Sequence, residues 1–391
     1  MAQIASMEVS PRSEPGVHEA ARRAAGPILL IAPSPPPYGG MAIQARLLER
    51  FLIEDGQRVV FFPCNCAFPG WLRPLQRVPG LRTFIRTLLY CVTVLKPVRR
   101  AQVVHILAAS WIYFFAFVCP VVLYGRLHGK RIVLNYRGGD AKQFFRWFGW
   151  CVKPIFKLAS VITTPSEFLA QAIRKHFSVA VEVVPNILDN AMFPYRERAA
   201  IQPKILVTRH LEKIYGVDVA LQAFRSVQSR YPAASLWIAG TGSQEAHLRG
   251  LISSWNLQNV RFLGYVAHRD LGAVYEQCDI LLNASYVDNF PGSLLEASGA
   301  GLVIVSTGAG GIPFMFQDGK NALLVEPGDW EGLGLAVQKV VQSPGLGAAL
   351  ARDAAGLGQR CRWPEVRKAM YTAYGFGPEE YTPGVSAKVV R

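Results

Sequence analysis

Short apolar runs alternate with stretches of helical length along most of the chain. The runs are rich in Val, Ile and Leu, which is typical of strands buried on both faces of a parallel sheet. They predict strands at residues 28–32, 58–62, 103–107, 131–134, 161–163 and 182–184 in the first half. In the second half they predict strands at 204–208, 235–239, 259–263, 279–283, 302–306 and 322–325, with a closing helix at 329–342. The pattern predicts an α/β protein with doubly wound parallel sheets.

The same rhythm occurs twice, and 391 residues are more than one hydrophobic core usually organises. We therefore expect two Rossmann-like domains, at residues 27–190 and 204–362, facing each other across a cleft. A linker is expected at residues 191–203 and a flexible tail at residues 1–26, which lack the apolar core of a secretory signal. Ligands of open parallel sheets bind beyond the carboxyl ends of the strands, so the cleft is the expected site.

Residues 106–124 form a run of nineteen uncharged, mostly apolar residues, and about 18 such residues suffice for a membrane helix. Two features argue against a span: residues 103–107 have the pattern of a strand that leads into the run, and Pro120 interrupts it. Basic residues flank both ends, so no charge asymmetry sets an orientation. We expect a buried crossover helix here.

The formal charge of +15, from 42 basic and 27 acidic residues, is concentrated in the first half of the chain. Residues 56–166 contain sixteen Lys and Arg and one acid, Asp140, so they alone account for +15. This concentration indicates an anionic partner: a membrane surface, a nucleic acid or an anionic substrate. A hydrophobic content of 51% and a charged content of 18% exclude a disordered chain.

The seven cysteines form no paired Cys-x-x-Cys set, and no cluster of histidines accompanies them. This pattern supports neither a structural zinc site nor a disulfide framework, so we expect reduced thiols in a cytoplasmic protein. The polar motifs described below contain no cluster of acids suited to a metal ion. We therefore expect neither a metal nor another cofactor.

A Pro-rich turn with paired glycines, Gly39 and Gly40, follows the first predicted strand. Glycines at a strand-to-helix turn let an anion come close to the backbone amides at the positive end of the helix dipole. Phosphate is the anion that such turns typically bind. Ordinary turn chemistry is the alternative interpretation. The three-glycine dinucleotide fingerprint and the Walker loop are both absent, which disfavours a nicotinamide enzyme and an ATPase.

Two basic residues, Arg209 and Lys213, follow the first predicted strand of the second half and precede a helix that opens near Gly216. Fixed cations at the carboxyl end of a strand can clamp a diphosphate, with Arg providing a bidentate fork. A solvated loop is the alternative interpretation.

The densest polar stretch is residues 287–297, which follow the predicted strand 279–283 and open a helix. Asp288 and the free amides of residues 292–295 are expected to face the cleft, with Glu296 one turn into the helix. Carboxylates accept hydroxyl hydrogens and amides bind phosphate oxygens, so the stretch suits a ligand with sugar hydroxyls at both ends of a diphosphate. Alternatively, Glu296 is only a favourable acid near a helix N-terminus.

In this order and spacing, the motifs resemble the retaining glycosyltransferases of family 4, which have the GT-B fold. The similarity runs from residue 28 to residue 374 and is strongest from 205 to 329. The motifs that carry it are the Gly39-Gly40 turn, Arg209 and Lys213, Gly240-Thr241-Gly242, Phe262-Leu263-Gly264, the acid pair Asp288 and Glu296, and residues 308–311.

The resemblance implies a role for each of these residues. Glu296 would bind the ribose of a nucleotide sugar, and Asp288 would contact the transferred sugar. Arg209 and Lys213 would hold the diphosphate, which would assist deprotonation of the acceptor while the anomeric configuration is retained. The other implied donor-binding residues are Gly39, Gly40, Gly240, Phe290, Pro291, Gly292, Ser293 and Leu295, with Phe262 and Leu263 beside the nucleobase.

The chain departs from the family pattern at two positions. The first acid of the pair is usually Glu, and Asp288 is one methylene shorter. Where members often carry a His in the first domain, this chain has Arg137, which keeps a cation for an anionic acceptor or a phosphate but excludes a His-based proton transfer. The resemblance also implies a return helix at residues 363–374, within a final segment 363–391.

These observations predict a cytoplasmic glycosyltransferase, associated peripherally with the inner face of the membrane, that moves a sugar from a nucleotide sugar to a sugar or lipid-linked acceptor. Residues 81–94 predict a basic amphipathic helix suited to anionic lipid, with Arg82 and Arg86 one turn apart; a core-packed helix with a basic edge is the alternative. The rival functions are a nucleotide-sugar epimerase or inactive homologue, and a basic nucleic-acid-binding protein. No helix-turn-helix or zinc-finger pattern supports the last, so no nucleic acid is expected as a partner.

Overall fold

The computed structural model describes residues 26–35, 39–65 and 81–377. Two sheets of six parallel strands form its frame, and helices cover both faces of each sheet. All twelve predicted strands are present, and no strand end differs from its prediction by more than two residues. The α/β prediction is therefore confirmed. The tail predicted at residues 1–26 falls outside the described residues except for Gly26.

The first sheet has the strand order β2–β1–β3–β4–β5–β6, so the winding direction reverses beside β1. Its strands are β1 (Ile28–Ala32), β2 (Val59–Pro63), β3 (Val103–Ala108), β4 (Arg131–Tyr136), β5 (Val161–Thr164) and β6 (Glu182–Val183). Its helices are α1 (Gly40–Glu54), α2 (Leu81–Arg100), α3 (Cys119–Leu127), α4 (Ala141–Leu158) and α5 (Glu167–Phe177).

Strand β1 explains why the first-half strands read as continuous apolar runs. Leu29 and Ile31 pack into the core beneath α2 to α5, whereas Ile28 and Leu30 face the opposite core beneath α1. Successive side chains of a strand point to opposite faces, so a sheet covered on both sides buries every position.

The second sheet has the order β12–β11–β10–β7–β8–β9, with the reversal between β7 and β10. Its strands are β7 (Lys204–Thr208), β8 (Ser235–Ala239), β9 (Val260–Gly264), β10 (Ile280–Asn283), β11 (Val303–Thr307) and β12 (Leu323–Val325). Its helices are α6 (Val217–Arg230), α7 (Glu245–Ser254), α8 (Leu271–Glu276), α9 (Gly292–Ala300), α10 (Ile312–Met315), α11 (Trp330–Gln342) and α12 (Pro344–Arg360).

The uncharged run at residues 106–124 contains the buried crossover helix that the sequence predicted. It first completes β3 and passes through a short loop; the helix then begins at residue 112, has π-helical geometry at Phe114–Val118 and continues into α3. Phe114 and Val118 are fully buried against the first sheet, which accounts for the apolar composition. Among the described residues, no helix is both long and apolar enough to cross a bilayer.

A final helix, α13 (Trp363–Tyr374), leaves the second sheet and packs on the first, as the resemblance implied. Several of its contacts with the first half are made to Asp55, whose Oδ2 accepts hydrogen bonds from Trp363 Nε1 at 3.0 Å and from Tyr371 Oη at 2.9 Å. Arg367 adds an ion pair to Asp55 at 3.3 Å, and the Trp363 ring stacks on Phe51 with the centroids 5.6 Å apart. The chain thus crosses between the two sheets a second time, beside the first crossing, where Leu188 N donates to the Cys361 carbonyl at 2.8 Å.

Candidate active site

A cavity of about 610 Å³ lies between the sheets at the carboxyl ends of their strands. This volume is in the range of small-molecule sites, about 300–1,000 Å³. The first sheet contributes the turn before α1 and the loop after β4, and the second contributes the segments after β7, β8, β9 and β10. The cavity therefore occupies the position that the strand pattern predicted for a ligand.

Arg209 and Asp288 form an ion pair on the wall of this cavity. Arg209 Nη2 and Asp288 Oδ2 lie 2.8 Å apart, although the angle between the groups is too poor for a directional hydrogen bond. Arg209 Nε donates to Asn283 Oδ1 at 2.9 Å, which fixes the guanidinium at the end of β10. Two of the residues predicted to be catalytic are thus neighbours, and each neutralises the other when no ligand is bound.

Glycines hold the loop that carries Asp288. Gly310 has φ +57, and a Cβ there would meet the Asp288 carbonyl oxygen at 2.1 Å. Gly311 N donates to that same oxygen at 2.8 Å, and a Cβ on Gly311 would meet the Asn289 oxygen at 1.9 Å. The 308–311 motif therefore acts through backbone contact with the acid-bearing loop.

Glu296 lies in the first part of α9 with its carboxylate fixed by two side chains. Tyr275 Oη donates to Oε2 at 2.9 Å and accepts from Thr208 Oγ1 at 3.0 Å. Burial, and secondly the charge of Glu296, raise the pKa of the Tyr275 hydroxyl well above its usual value, so it stays protonated and able to donate. His268 Nε2 lies 3.1 Å from Oε1. The oriented carboxylate keeps lone pairs for hydroxyl groups in the cavity.

The N-terminus of α9 presents backbone amides beside Glu296. Gly292 and Ser293 line the cavity, and Pro291 at the N-cap makes no side-chain cap. The first amides of a helix have no partner within it, so they are available to an anion. Leu295 differs from its prediction: its N–H donates to the Pro291 carbonyl at 3.3 Å, and its side chain is buried in the core. It closes the first helical turn instead of facing the cavity.

Helix α1 begins at Gly40, as the paired-glycine turn predicted. Gly39 is its N-cap in an extended conformation, and Gly40 lines the cavity. No atom lies within 4 Å of a Cβ built on either glycine, so neither is required by crowding within the described residues. Their use as a phosphate contact stays a prediction.

Arg137 lines the cavity from the first sheet, at the end of β4. Its Nε donates to Asn135 Oδ1 at 2.9 Å and its Nη1 to Asn186 Oδ1 at 2.6 Å. Hydrogen bonds also cross the cleft nearby: Asn289 Nδ2 donates to the Gly138 carbonyl at 2.9 Å. The cationic position predicted on the acceptor side is therefore present and rigidly held.

Five predicted residues do not line the cavity: Gly39 and Leu295, described above, and Lys213, Phe262 and Leu263. Lys213 begins a 3₁₀ turn, Lys213–Tyr215, in which it is exposed while Tyr215 lines the cavity. Phe262 and Leu263 belong to β9, where Phe262 packs against the core and beneath Arg249 at 4.2 Å. The residues beyond the strand reach the cavity instead. They are Tyr265, Val266 and His268.

The residues that orient the predicted site were not identified from the sequence. They are Asn186, His268, Tyr275, Asn283 and Asn289. His268 lies in a short turn before α8 and Tyr275 lies within α8, so no single helical spacing in the sequence relates them. Gly240 lines the cavity, and at φ +150 its backbone lies against the Arg209 carbonyl; its contact with the donor stays a prediction.

Within the described residues, no group of three or more His, Cys, Asp or Glu side chains is placed to hold a metal ion. The described cysteines form no disulfide with one another. The expectation of a reaction without a metal or cofactor stays a prediction.

Comparison with known proteins matches both halves of the chain. Residues 38–191 match the model described as Glycosyltransferase Family 4, and residues 195–356 match that of Glycosyl transferases group 1. The chain is 29% identical over 180 residues to glycogen synthase of Mycobacterium tuberculosis, covering 44% of this chain and 43% of that protein. It is 30% identical over 197 residues to mannosylfructose-phosphate synthase of Agrobacterium fabrum, covering 46% of this chain and 43% of that protein. The matched part thus spans less than half the length of these relatives.

Solved structures share the whole fold at low identity. Sucrose-phosphate synthase from Thermosynechococcus elongatus superposes with a TM-score of 0.71 at 17% identity, over 90% of this chain and 98% of that one. The Anabaena protein HepE in complex with UDP superposes with a TM-score of 0.69 at 16% identity, over 89% of this chain and 99% of that one. At this identity the likeness establishes the arrangement of the two sheets.

Proposed function

This chain belongs to the glycosyltransferases of group 1 and family 4, and from that membership we propose that it transfers a sugar from a nucleotide diphosphate sugar to a hydroxyl group of an acceptor. The observation that carries the proposal is the convergence of three features on one cavity. These are a carboxylate oriented for hydroxyl groups, unpartnered helix amides for phosphate, and a fixed guanidinium. The HepE structures hold UDP and UDP-glucose, so a donor of this class also fits relatives of the same fold.

The donor is assigned to the second sheet. Glu296 accepts hydrogen bonds from the ribose hydroxyls, because Tyr275 and His268 hold the carboxylate in one orientation. The diphosphate lies between Arg209 and the amides of Gly292 and Ser293, where a full charge and a helix dipole favour an anion. Lys213 is exposed and does not line the cavity, although its neighbours Ile214 and Tyr215 do, so its contact with the diphosphate stays a prediction.

The reaction develops charge at two places that these residues can stabilise. The bond between the anomeric carbon and the leaving phosphate oxygen breaks, and negative charge grows on the diphosphate beside Arg209. Positive charge grows on the sugar, where Asp288 is the nearby acid. The acceptor oxygen bonds to the anomeric carbon on the face that the phosphate leaves, and the acceptor proton passes to the leaving phosphate. This path retains the anomeric configuration.

The ion pair of Arg209 and Asp288 uses the same guanidinium that the proposed diphosphate would contact. A diphosphate that approaches Arg209 competes with Asp288 Oδ2, which lies 2.8 Å from Nη2. Binding of the donor therefore releases the carboxylate toward the sugar. Because the pair has no directional hydrogen bond, less stabilisation is lost when it opens.

The acceptor is assigned to the first sheet, and we place that sheet at a membrane. Helices α2, α3 and α4 pack side by side over one face of the sheet. Each buries one side in the core and exposes apolar residues on the other. The most exposed are Leu88 (56%), Val92 (63%), Leu127 (83%), Trp147 (59%) and Trp150 (79%).

The same outer surface is basic. Arg146, Lys153 and Lys157 are exposed on α4, spaced so that they share a face with Trp147 and Trp150. Exposed Trp beside Lys and Arg is typical of helices that lie in an anionic membrane interface. We call α2, α3 and α4 the lipid-facing layer. An acceptor held in the membrane would reach the cavity from α4, whose first residues follow Asp140 on the cavity wall.

Donor binding by Glu296 is tested by Glu296→Gln. The change removes the charge and one hydrogen-bond acceptor for ribose, so the Kd of the nucleoside diphosphate is expected to rise about fivefold, or about 1 kcal/mol. Turnover at saturating donor should stay within about twofold, since the contact exists before and during reaction. Titration calorimetry and initial rates measure both. Glu276→Gln, at the exposed end of α8, is the matched control. Unchanged affinity in Glu296→Gln would contradict the ribose assignment.

Membrane association is tested with vesicles of phosphatidylcholine that contain or lack phosphatidylserine. We expect co-sedimentation with the anionic vesicles and release by high salt. Lys153→Gln should weaken binding about fivefold, because a basic residue near an anionic surface contributes about 1 kcal/mol. Lys339→Gln, also exposed but on α11, should have no effect. Equal binding to neutral and anionic vesicles would argue against this role for the layer.

A further inference from the structure

Arg137 is a cation on the first-sheet wall of the cavity, and no acid in the described part of the chain forms an ion pair with it. Its two hydrogen-bond partners are the neutral amide oxygens of Asn135 and Asn186. Its third nitrogen, Nη2, has no hydrogen-bond partner among the described residues. Arg209 differs, because Asp288 lies 2.8 Å from it. The protein thus orients the Arg137 guanidinium but does not neutralise it.

The groups around Arg137 do not supply the missing charge. Asp140 lines the same cavity, but it is exposed and forms no ion pair with Arg137. His105 is buried close by, and its pKa is lowered to about 3, first by burial and then by Arg137, so it is neutral. Burial alone lowers the pKa of Arg137 to about 10, which leaves it charged at neutral pH. A desolvated charge without a counter-ion is costly, and a ligand anion can offset that cost.

Arg137 belongs to the first sheet, whereas the donor diphosphate proposed above is assigned to residues of the second sheet. Asn186 accepts from Arg137 Nη1 and donates from Nδ2 to the Phe290 carbonyl at 3.2 Å, so it links Arg137 to the loop that carries Asp288. The donor has its own cation, Arg209, and its own helix N-terminus, α9. The opposite wall offers a second combination of a cation and a helix N-terminus. The cation is Arg137, and the helix is α4, which begins four residues later at Ala141 without a side-chain cap.

We propose that Arg137 and the first turn of α4 form a subsite for an oxyanion of the acceptor, either a phosphate or a carboxylate group. The planar guanidinium presents paired N–H groups that match such an anion, and the helix amides complete its coordination. The inference rests on the proposed function, because it names the class of acceptor for that reaction. It also assigns Arg137 to substrate binding rather than proton transfer, since a charged guanidinium is no base.

The test is calorimetry with inorganic phosphate on the full chain, saturated beforehand with UDP, GDP or ADP, whichever binds most tightly. We expect phosphate to bind the nucleotide-saturated protein, and Arg137→Gln to raise the phosphate Kd at least tenfold while the nucleotide Kd changes less than threefold. Arg137→Lys should keep part of the affinity, because it keeps the charge without the fork. Arg352→Gln, on the exposed face of α12, is the matched control and should bind phosphate normally.

Other outcomes overturn the inference in distinguishable ways. Equal phosphate binding by wild type and Arg137→Gln would mean an adventitious ion only. Loss of phosphate binding on nucleotide saturation, together with a tenfold weaker nucleotide Kd in Arg137→Gln, would assign Arg137 to the donor. Tight nucleotide binding with no phosphate binding would remove the acceptor subsite but leave the proposed function intact. Absence of binding by all three nucleotides would reject the proposed function itself.

Discussion

Arg209→Gln is expected to lower turnover about a hundredfold. The guanidinium is fixed by Asn283 beside the diphosphate position, so it meets the charge that grows on the leaving group without reorganisation. Removing one such preorganised donor typically costs about 10²–10³ in rate. Gln can replace at most one hydrogen bond and none of the charge. Steady-state rates with the donor that binds most tightly, at saturation, measure the effect.

The control for this change is Arg225→Gln, which removes an exposed Arg on α6 beside Trp255. Its turnover should equal that of the wild type. Arg209→Lys separates charge from geometry, and it should recover only part of the rate because Lys lacks the planar fork. A folded Arg209→Gln protein with wild-type turnover would show that the diphosphate does not use this guanidinium.

Asp288→Asn is expected to reduce turnover at least about tenfold, or about 1.4 kcal/mol of transition-state stabilisation. The change removes the negative charge that faces the sugar as positive charge develops there. Donor affinity should not fall, because Arg209 loses its only carboxylate partner among the described residues and becomes free for the diphosphate. Rates at saturating donor and calorimetric Kd values separate the two effects.

The ion pair makes a further comparison possible within the same series. Asp288→Glu restores the residue that the family usually carries, so we expect substantial turnover in that variant. In the double variant Arg209→Gln with Asp288→Asn, the two losses should not add, because the side chains are in contact. Full turnover in a folded Asp288→Asn enzyme would remove Asp288 from the reaction.

The fold could be predicted almost completely from the sequence because its signals are local. A strand such as β7 is buried on both faces, so its consecutive residues Ile205 to Val207 are all apolar, and this run is visible in the sequence alone. The breaks between strands and helices also have local signs, such as Pro, Gly and charged residues. The run at 106–124 forms the predicted crossover helix, but apolar composition alone does not show where β3 ends or where the helix has π-helical geometry.

The candidate site was predicted only as far as its residues lie at fixed offsets from the predicted strands and helices. Arg209 directly follows β7, and Glu296 is in α9, so their positions followed from strand ends. Lys213 is four residues beyond Arg209, and the 3₁₀ turn that it begins leaves it facing outward. Phe262 is inside β9, where its side chain packs into the core instead of the cavity. A change of a few residues in a loop thus decides which side chain reaches a ligand.

The sequence by itself determined the two parallel sheets, the location of the cleft and the acids and cation that face it, because periodicity and strand ends are properties of neighbouring residues. Only the tertiary structure decided what those residues touch. The pairing of Arg209 with Asp288, the orientation of Glu296 by Tyr275, and the lack of an acid beside Arg137 each join segments distant along the chain. Charge compensation is a property of distances in space, which a linear pattern does not contain.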